Sequence, residues 1–494
     1  MRYNHKSICR LLFFVSLLLP AFCLTSCSDD DDDLFRPDGP VELSVTSNGT
    51  EVDALDFGTY GGNTLLTLVS NASWDISVSD NAEWLILSNR SGDPTVSSDP
   101  EKEDEPRYIK LTAEPLGKGE TRSCVVTFRA ADKVKTITVT QTQPSAADES
   151  GWETAVAANR NIALGSGINL YNTLDAVGDW FDQDDVYAFE TCWGQVVTTQ
   201  GWFDAVAAAG FKGVRVPVTW HPHMDENWVV KEPWMNRVEE VVNYALNAGL
   251  YCILNVHHDT GNDAWLCADL ENIDAIADKY ARLWTQIATR FNKYDHRLLF
   301  EGYNEMLDAK NSWVEPVAGG YEAVNILAQK FVDTVRATGG NNSHRNLVVN
   351  TYGGGGSKTR LDNLTIPTDR IGGHILVQVH NYTPAGFSNL DGSLDDVADE
   401  NMPAWTAEFE SMLKTELDLL VDFSNKNGVP VIIGECGAYD RIPEAEKAKF
   451  GKFITTYSDG KADISVFFWG QLIDRTTYQP LYPEFVKAFT KSSN

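Results

Sequence analysis

Between residues 168 and 469 the chain carries eight short apolar runs, separated by longer stretches with the hydrophobic period of a helix. The runs are Ile168 to Leu170, Gly213 to Pro217, Tyr251 to Val256, Leu298 to Gly302, Asn346 to Asn350, Ile375 to His380, Val431 to Glu435 and Ile464 to Trp469. Strands that lack polar alternation are buried on both faces, as in a parallel sheet covered by helices. Helices are expected over Thr198 to Ala209, Pro233 to Ala248, Ile273 to Phe291, Tyr321 to Ala337, Ala404 to Asn427 and Pro443 to Tyr457. Eight such units predict an α/β fold, a closed (β/α)8 barrel. A doubly wound open sheet is the alternative, but the first strand–helix turn lacks the glycine fingerprint of its dinucleotide-binding form.

The barrel does not account for all 494 residues, and two folded units are expected. Residues 41–143 carry short alternating runs punctuated by Gly, Asn and Pro, including Thr64 to Val69, Trp74 to Val78, Val125 to Phe128 and Thr136 to Val139. That spacing predicts a small all-β sandwich of the Ig-like kind. Residues 144–153 read as a linker and 154–494 as the barrel domain. Residues 1–26 read as a targeting signal: Arg2, Lys6 and Arg10 precede an apolar stretch, Leu11 to Leu24, that is too short to span a bilayer. The following Leu24-Thr25-Ser26-Cys27 resembles a bacterial lipobox, which implies lipidation of Cys27 and a membrane anchor. Residues 27–40 form an acidic tether, and Asp29 to Asp33 resemble the export tags of surface lipoproteins. The expected location is the outer membrane, facing the cell exterior.

Net charge is -30, from 40 Lys+Arg against 70 Asp+Glu. Such a field repels nucleic acid and excludes it as a partner, while leaving a neutral polymer free to approach. Five cysteines remain beyond Cys27: Cys124, Cys192, Cys252, Cys267 and Cys436. Their odd number and wide spacing give no disulfide framework, and no Cys-x-x-Cys pair points to zinc.

Barrel enzymes work at the C-terminal ends of their strands. Those ends carry Asn169, Arg215, His257 with His258, Asn304 with Glu305, His380 with Tyr382, Glu435, and Trp469. Polar groups at the ends of apolar strands are costly to bury without purpose. Glu305 and Glu435 end the fourth and seventh strands, on opposing sides of an eight-strand ring. Glycoside cleavage needs two flanking carboxyl groups, one protonated and one ionised. Arg215 is expected to hold Glu435 ionised, and the Glu435 charge to keep Glu305 protonated. His257-His258-Asp259 lacks further metal-ligand spacing, so neither a metal nor a cofactor is expected. His221-Pro222-His223 reads as a loop lining the cleft. Trp220, Trp228, Trp265 and Trp313 read equally as sugar platforms or as packing. Gly353 to Thr359 fails the phosphate-loop register and reads as a flexible loop over the cleft.

Phe211-Lys212-Gly213-Val214-Arg215-Val216-Pro217, Asn255-Val256-His257-His258, Leu298 to Glu305, His380-Asn381-Tyr382 and Ile433-Gly434-Glu435 together resemble glycoside hydrolase family 5 over the whole second domain. Gly167 to Asp175 and Trp193-Gly194-Gln195 narrow the resemblance to subfamily 4. It implies a retaining endo-β-1,4-glucanase with Glu305 as acid/base and Glu435 as nucleophile. The implied substrate is a β-glucan polysaccharide, foremost xyloglucan, with mixed-linkage glucan, cellulose or β-mannan as alternatives. A non-catalytic surface glycan-binding protein is the reading from another class. The resemblance also implies that Asn304 meets the sugar 2-OH, Tyr382 orients Glu435, and Trp469 floors the reacting subsite. Asn169, Arg215, His257, His258 and His380 are implied as supporting or substrate-binding residues. Tyr171 and Gln195-Val196 depart from the usual Gly and Asn-Pro near the glycone side. In the first unit, Ser73-Trp74-Asp75-Ile76-Ser77, Trp84-Leu85 and Thr136 to Gln141 resemble a BACON module, which serves here as a binder or as a spacer.

Overall fold

The computed structural model describes residues 35, 37, 39–47, 50–57, 62–79, 82–96, 106–113, 121–142 and 151–491. The signal-like segment, Cys27, Asp29 to Asp33 and linker residues 144–150 lie outside the described residues.

The first unit is two five-stranded sheets. One runs Thr50–Glu51, Leu43–Ser47, Gly62–Ser70, Arg107–Ala113, Leu85–Leu87. The other runs Ala54–Phe57, Lys133–Thr142, Thr121–Ala130, Trp74–Val78, Ser91–Gly92. Period-two alternation puts Leu66, Leu68, Ile109 and Leu111 of one sheet and Val126, Phe128, Ile137 and Val139 of the other into a common core. Trp74 and Trp84 join that core, so neither is a surface platform for sugar.

The second unit is a closed parallel barrel whose strands follow sequence order. They are β1 Gly167–Asn169, β2 Gly213–Val216, β3 Tyr251–Asn255, β4 Leu298–Glu301, β5 Leu347–Gly355, β6 Ile375–His380, β7 Val431–Cys436 and β8 Ile464–Phe468. Each expected strand is present. The six expected helices are Gln200–Ala208, Glu232–Asn247, Ile273–Arg290, Gly320–Ala337, Ala407–Asn427 and Glu444–Thr456.

Alternation along the strands divides the barrel into layers. Outward residues such as Val214, Leu254, Phe300 and Val377 pack against the helices in one large core. Inward, the lower layer is apolar: Ile253, Leu299, Val348, Leu376, Ile432 and Phe467. Gly167 and Gly213 make room for the Phe467 ring, which an added Cβ would meet at 2.3 Å and 3.1 Å. Two residues further along, the inward positions become polar: Asn169, Arg215, Asn255, Glu301, Asn350 and Gln378, all fully buried. This polar storey supports the site above it.

Two strand ends depart from simple extension. β5 runs through Gly353 and Gly354, with φ of 55° and 65°, and its pairing with β6 shifts between Asn350 and Gly355. The stretch expected to be a flexible loop therefore begins as strand through Gly355 and ends in a short helix from Lys358, with Gly353 and Gly354 in the left-handed region. β7 shifts register between Ile433 and Cys436. Alternation alone would turn Glu435 outward after inward Gly434; the irregularity lets it face the barrel mouth.

Candidate active site

Arg215 organises the site from below. It is fully buried, and each of its five N–H donors finds an acceptor. Nε and Nη2 grip Glu301 at 2.7 Å and 2.8 Å. Nη1 donates to Glu435 Oε1 at 2.7 Å and to Asn169 Oδ1 at 3.0 Å, while Nη2 also reaches Asn304 Oδ1 at 2.7 Å. The amide of Asn169 donates to the carbonyls of Gly434 and Phe468. Asn169 is thus a strut between strands and does not reach the cleft. Asn304 has its side-chain oxygen fixed by Arg215 and its carbonyl fixed by Asn350 at 3.0 Å, which leaves its amide for the cleft.

Above the arginine, Tyr382 donates its hydroxyl to Glu435 Oε2 at 2.9 Å. His380 Nδ1 lies 2.7 Å from Glu305 Oε1 and 3.6 Å from Glu435 Oε2. Ligating atoms of Glu305, His380 and Glu435 all fall within 4.8 Å of one another. Gly354 permits this closeness, since an added Cβ would stand 3.2 Å from His380 Nδ1 and 3.3 Å from Glu305 Cγ. His257 stacks parallel to Trp469 at 5.5 Å, with Nδ1 held 3.0 Å from the Asn255 amide.

The protonation order differs from the expected one. Burial raises the Glu305 carboxyl, but the charge and hydrogen bond of His380, with Arg215 and His258 behind, outweigh it and hold the group below its ordinary value. Burial pushes Glu435 up, helped by the Glu305 charge and opposed by His380, Arg215 and Tyr382. Burial alone would lower His380, yet Glu435 and Glu305 together raise it. His380, between the carboxylates, thus holds a proton more tightly than an ordinary imidazole does. Sequence alone shows two carboxylates; it does not show that an imidazole sits between them.

The carboxylates lie where two cavities adjoin. One, of about 700 Å³, runs past Glu435, Tyr382, Trp469 and the β5 glycines. The other, of about 610 Å³, runs past Trp193, His221, Thr260 and Trp265. His258, Asn304, Glu305 and Trp313 line both. The cleft thus continues to either side of the reacting groups. Trp313 is 46% exposed and Trp265 lines the second cavity, whereas Trp220 is fully buried with its indole N–H on the Asn255 carbonyl. Trp228 packs on Trp265 at 4.9 Å. His221 does line the cleft, but His223 turns into the core and stacks on Trp234 at 3.5 Å. Tyr171 meets Trp469 edge-on at 5.8 Å, so this departure from the family pattern borders the floor of the site.

Sequence reasoning passed over Glu301, Asn255 and Asn350 as members of the site. Their signal was an ionisable or amide side chain at an inward position of an apolar strand, as in Leu298-Leu299-Phe300-Glu301.

A closed (β/α)8 barrel with two facing carboxylates at strand ends, in an open cleft, defines a glycoside hydrolase. Residues 174–471 match the model of the cellulase family, glycosyl hydrolase family 5. The chain belongs to that family. It is 29% identical to the xyloglucan-specific endo-beta-1,4-glucanase BoGH5A of Bacteroides ovatus, covering 100% of this chain and 98% of that protein. It is 33% identical to the cellulase/esterase CelE of Acetivibrio thermocellus over 74% of this chain, but spans only 44% of that protein's length. Among solved structures, a mutant of PbGH5A from Prevotella bryantii B14 in complex with a xyloglucan tetradecasaccharide superposes with a TM-score of 0.61 at 40% identity, covering 69% of this chain and 99% of that one.

Proposed function

We propose that the protein is a retaining endo-β-1,4-glucanase that cuts xyloglucan. The observation that carries the mechanism is that the closest oxygens of Glu305 and Glu435 lie within 4.8 Å of each other, with His380 between the two carboxylates. Retaining glycosidases hold their carboxyl groups about 5–5.5 Å apart, and inverting ones about 6.5–9.5 Å to admit a water. Glu435, oriented by Tyr382 and Arg215, attacks the anomeric carbon. Glu305 protonates the departing oxygen and later takes a proton from the water that hydrolyses the glycosyl-enzyme ester. The proton comes from His380 Nδ1, already 2.7 Å from Glu305. Bound sugar excludes water and disfavours the separated charges of that pair, which moves the proton onto Glu305. The free Asn304 amide meets the sugar 2-OH, and Trp469 with His257 forms the floor. A glycan-binding protein without catalysis would need one of these carboxylates to be missing.

Xyloglucan is favoured over mixed-linkage glucan, cellulose and mannan by the substrate named for the full-length relative and by the ligand of the PbGH5A complex. Proton NMR of the first products is expected to show the β-anomer, and early α-anomer would sink double displacement. In a panel of xyloglucan, barley mixed-linkage glucan, carboxymethylcellulose and galactomannan, kcat/KM on xyloglucan is expected to lead by about tenfold or more. A lead by galactomannan would overturn the substrate assignment.

The sandwich, BACON-like in sequence, acts as a spacer between the barrel and a lipid anchor on Cys27 at the outer membrane. Support comes from Leu24-Thr25-Ser26-Cys27, the acidic run after it, and the burial of Trp74 and Trp84. Labelled palmitate is expected to enter the full chain in cells and to be lost on Cys27→Ala. Equal labelling of the variant would refute the anchor.

A further inference from the structure

Beneath His380 the barrel interior holds polar atoms that the chemistry above leaves unused. Asn350 Oδ1, both polar atoms of the Gln378 amide and His380 Nε2 are buried without a hydrogen-bond partner among the described residues. Asn350 and Gln378 are direct partners across β5 and β6. Gln378 and His380 stand two apart on β6 and share its inward face. Neighbouring strands lie about 4.8 Å apart and alternate residues about 6.6 Å, so these atoms are within a water's reach of each other. Gln378 takes the place of a side chain on β7: a Cβ added to Gly434 would come within 2.2 Å of its Cδ. A buried polar atom left unpaired is costly, and ordered water with two to four polar partners is the usual remedy.

We propose that buried water joins the Gln378 amide, Asn350 Oδ1 and His380 Nε2, and that Gln378 is a positioning residue that governs how His380 and Glu305 share a proton. The inference rests on Glu305 being the acid/base. With Nδ1 committed to Glu305, Nε2 is the free ring nitrogen. When His380 is the imidazolium, Nε2–H needs an acceptor, and the Gln378 and Asn350 oxygens supply it through water. When the proton has passed from Nδ1 to Glu305, Nε2 keeps its hydrogen and its acceptor, but the bond is weaker from the neutral ring, so the water network favours the charged one. The Gln378 amide can accept from the water that Nε2–H engages and donate to another, because it carries both functions. The charged and titratable groups facing His380 are Glu305 after β4, Glu435 on β7, Arg215 on β2, His257 after β3 and Tyr382 after β6. None of these offers Nε2 a hydrogen bond.

The test is the pH profile of kcat/KM on xyloglucan. Gln378→Met removes the acceptor and is expected to move the alkaline limb down by about one pH unit, the effect of one lost hydrogen bond to the charged form. Gln378→Glu places a carboxylate near Nε2 and is expected to move the limb up. Loss of activity by one factor at every pH, with the limb unmoved in both variants, would overturn the proposal. A crystal structure of the wild-type protein is expected to show water about 3 Å from His380 Nε2, and a dry interior there would also overturn it. Failure of the acid/base assignment would show separately, as a Glu305→Gln variant that keeps its activity while the water remains.

Discussion

Glu435→Gln is expected to lower turnover on xyloglucan by about 10⁴-fold or more, because the covalent route closes and nothing else at the site can replace it. The substitution is nearly isosteric. The amide oxygen can still accept from Arg215 Nη1, so the fold and the cleft should persist. Binding of a xyloglucan oligosaccharide, measured by calorimetry, is therefore expected to stay within about tenfold of wild type. A smaller variant, Glu435→Ala, leaves space for azide, which should restore partial activity and yield the α-glycosyl azide. Turnover of Glu435→Gln within tenfold of wild type would remove Glu435 from the nucleophile's role. Loss of binding along with turnover would point instead to a damaged cleft.

Arg215→Met is expected to destabilise the barrel by about 3–5 kcal/mol, read as a lower urea midpoint of its unfolding transition. The arginine is fully buried between Glu301 and Glu435, with five donors matched to five acceptors. Methionine fills similar space but leaves two buried carboxylates facing each other without a cation. Much of the cost is that of the stranded charge, not the worth of the ion pair itself. The double variant Arg215→Met, Glu301→Leu should therefore regain part of the loss, because one of the stranded charges is gone. If Arg215→Met shifts stability by less than about 1 kcal/mol, the clamp is not what holds the polar storey together. Activity is expected to fall in both variants, since Glu435 and Asn304 lose a shared anchor.

Much of this is legible in the amino-acid sequence. Eight apolar runs announced the barrel because strands buried on both faces have no polar alternation to hide them. Glu305, Glu435, His380 and Tyr382 were visible because the ends of such strands carry few polar groups by chance. What stayed hidden is what depends on alternation within a strand. Glu301 lies inside an apolar run, and only the inward parity it shares with Leu299 marks it as Arg215's main partner. Asn169 reads from sequence as supporting or substrate-binding, and only its partners, two strand carbonyls and Arg215, mark it as support. The β5 glycines looked like a loop because Gly usually breaks a strand; here φ near 60° lets the strand continue under Glu305 and His380. The protonation order needed a distance, since His380 is 75 positions from Glu305 in sequence and 2.7 Å away in space.

The cleft is open on both sides of the carboxylates, and that sets how a polymer is dismantled. An enzyme with a closed end must wait for a chain terminus, and it shortens each molecule one small piece at a time. A trough like this one accepts the middle of a chain. The first cuts fall far from the ends, so a viscous glucan solution thins while very little sugar has been released. The fragments are still long, and each of them is again a substrate along its length.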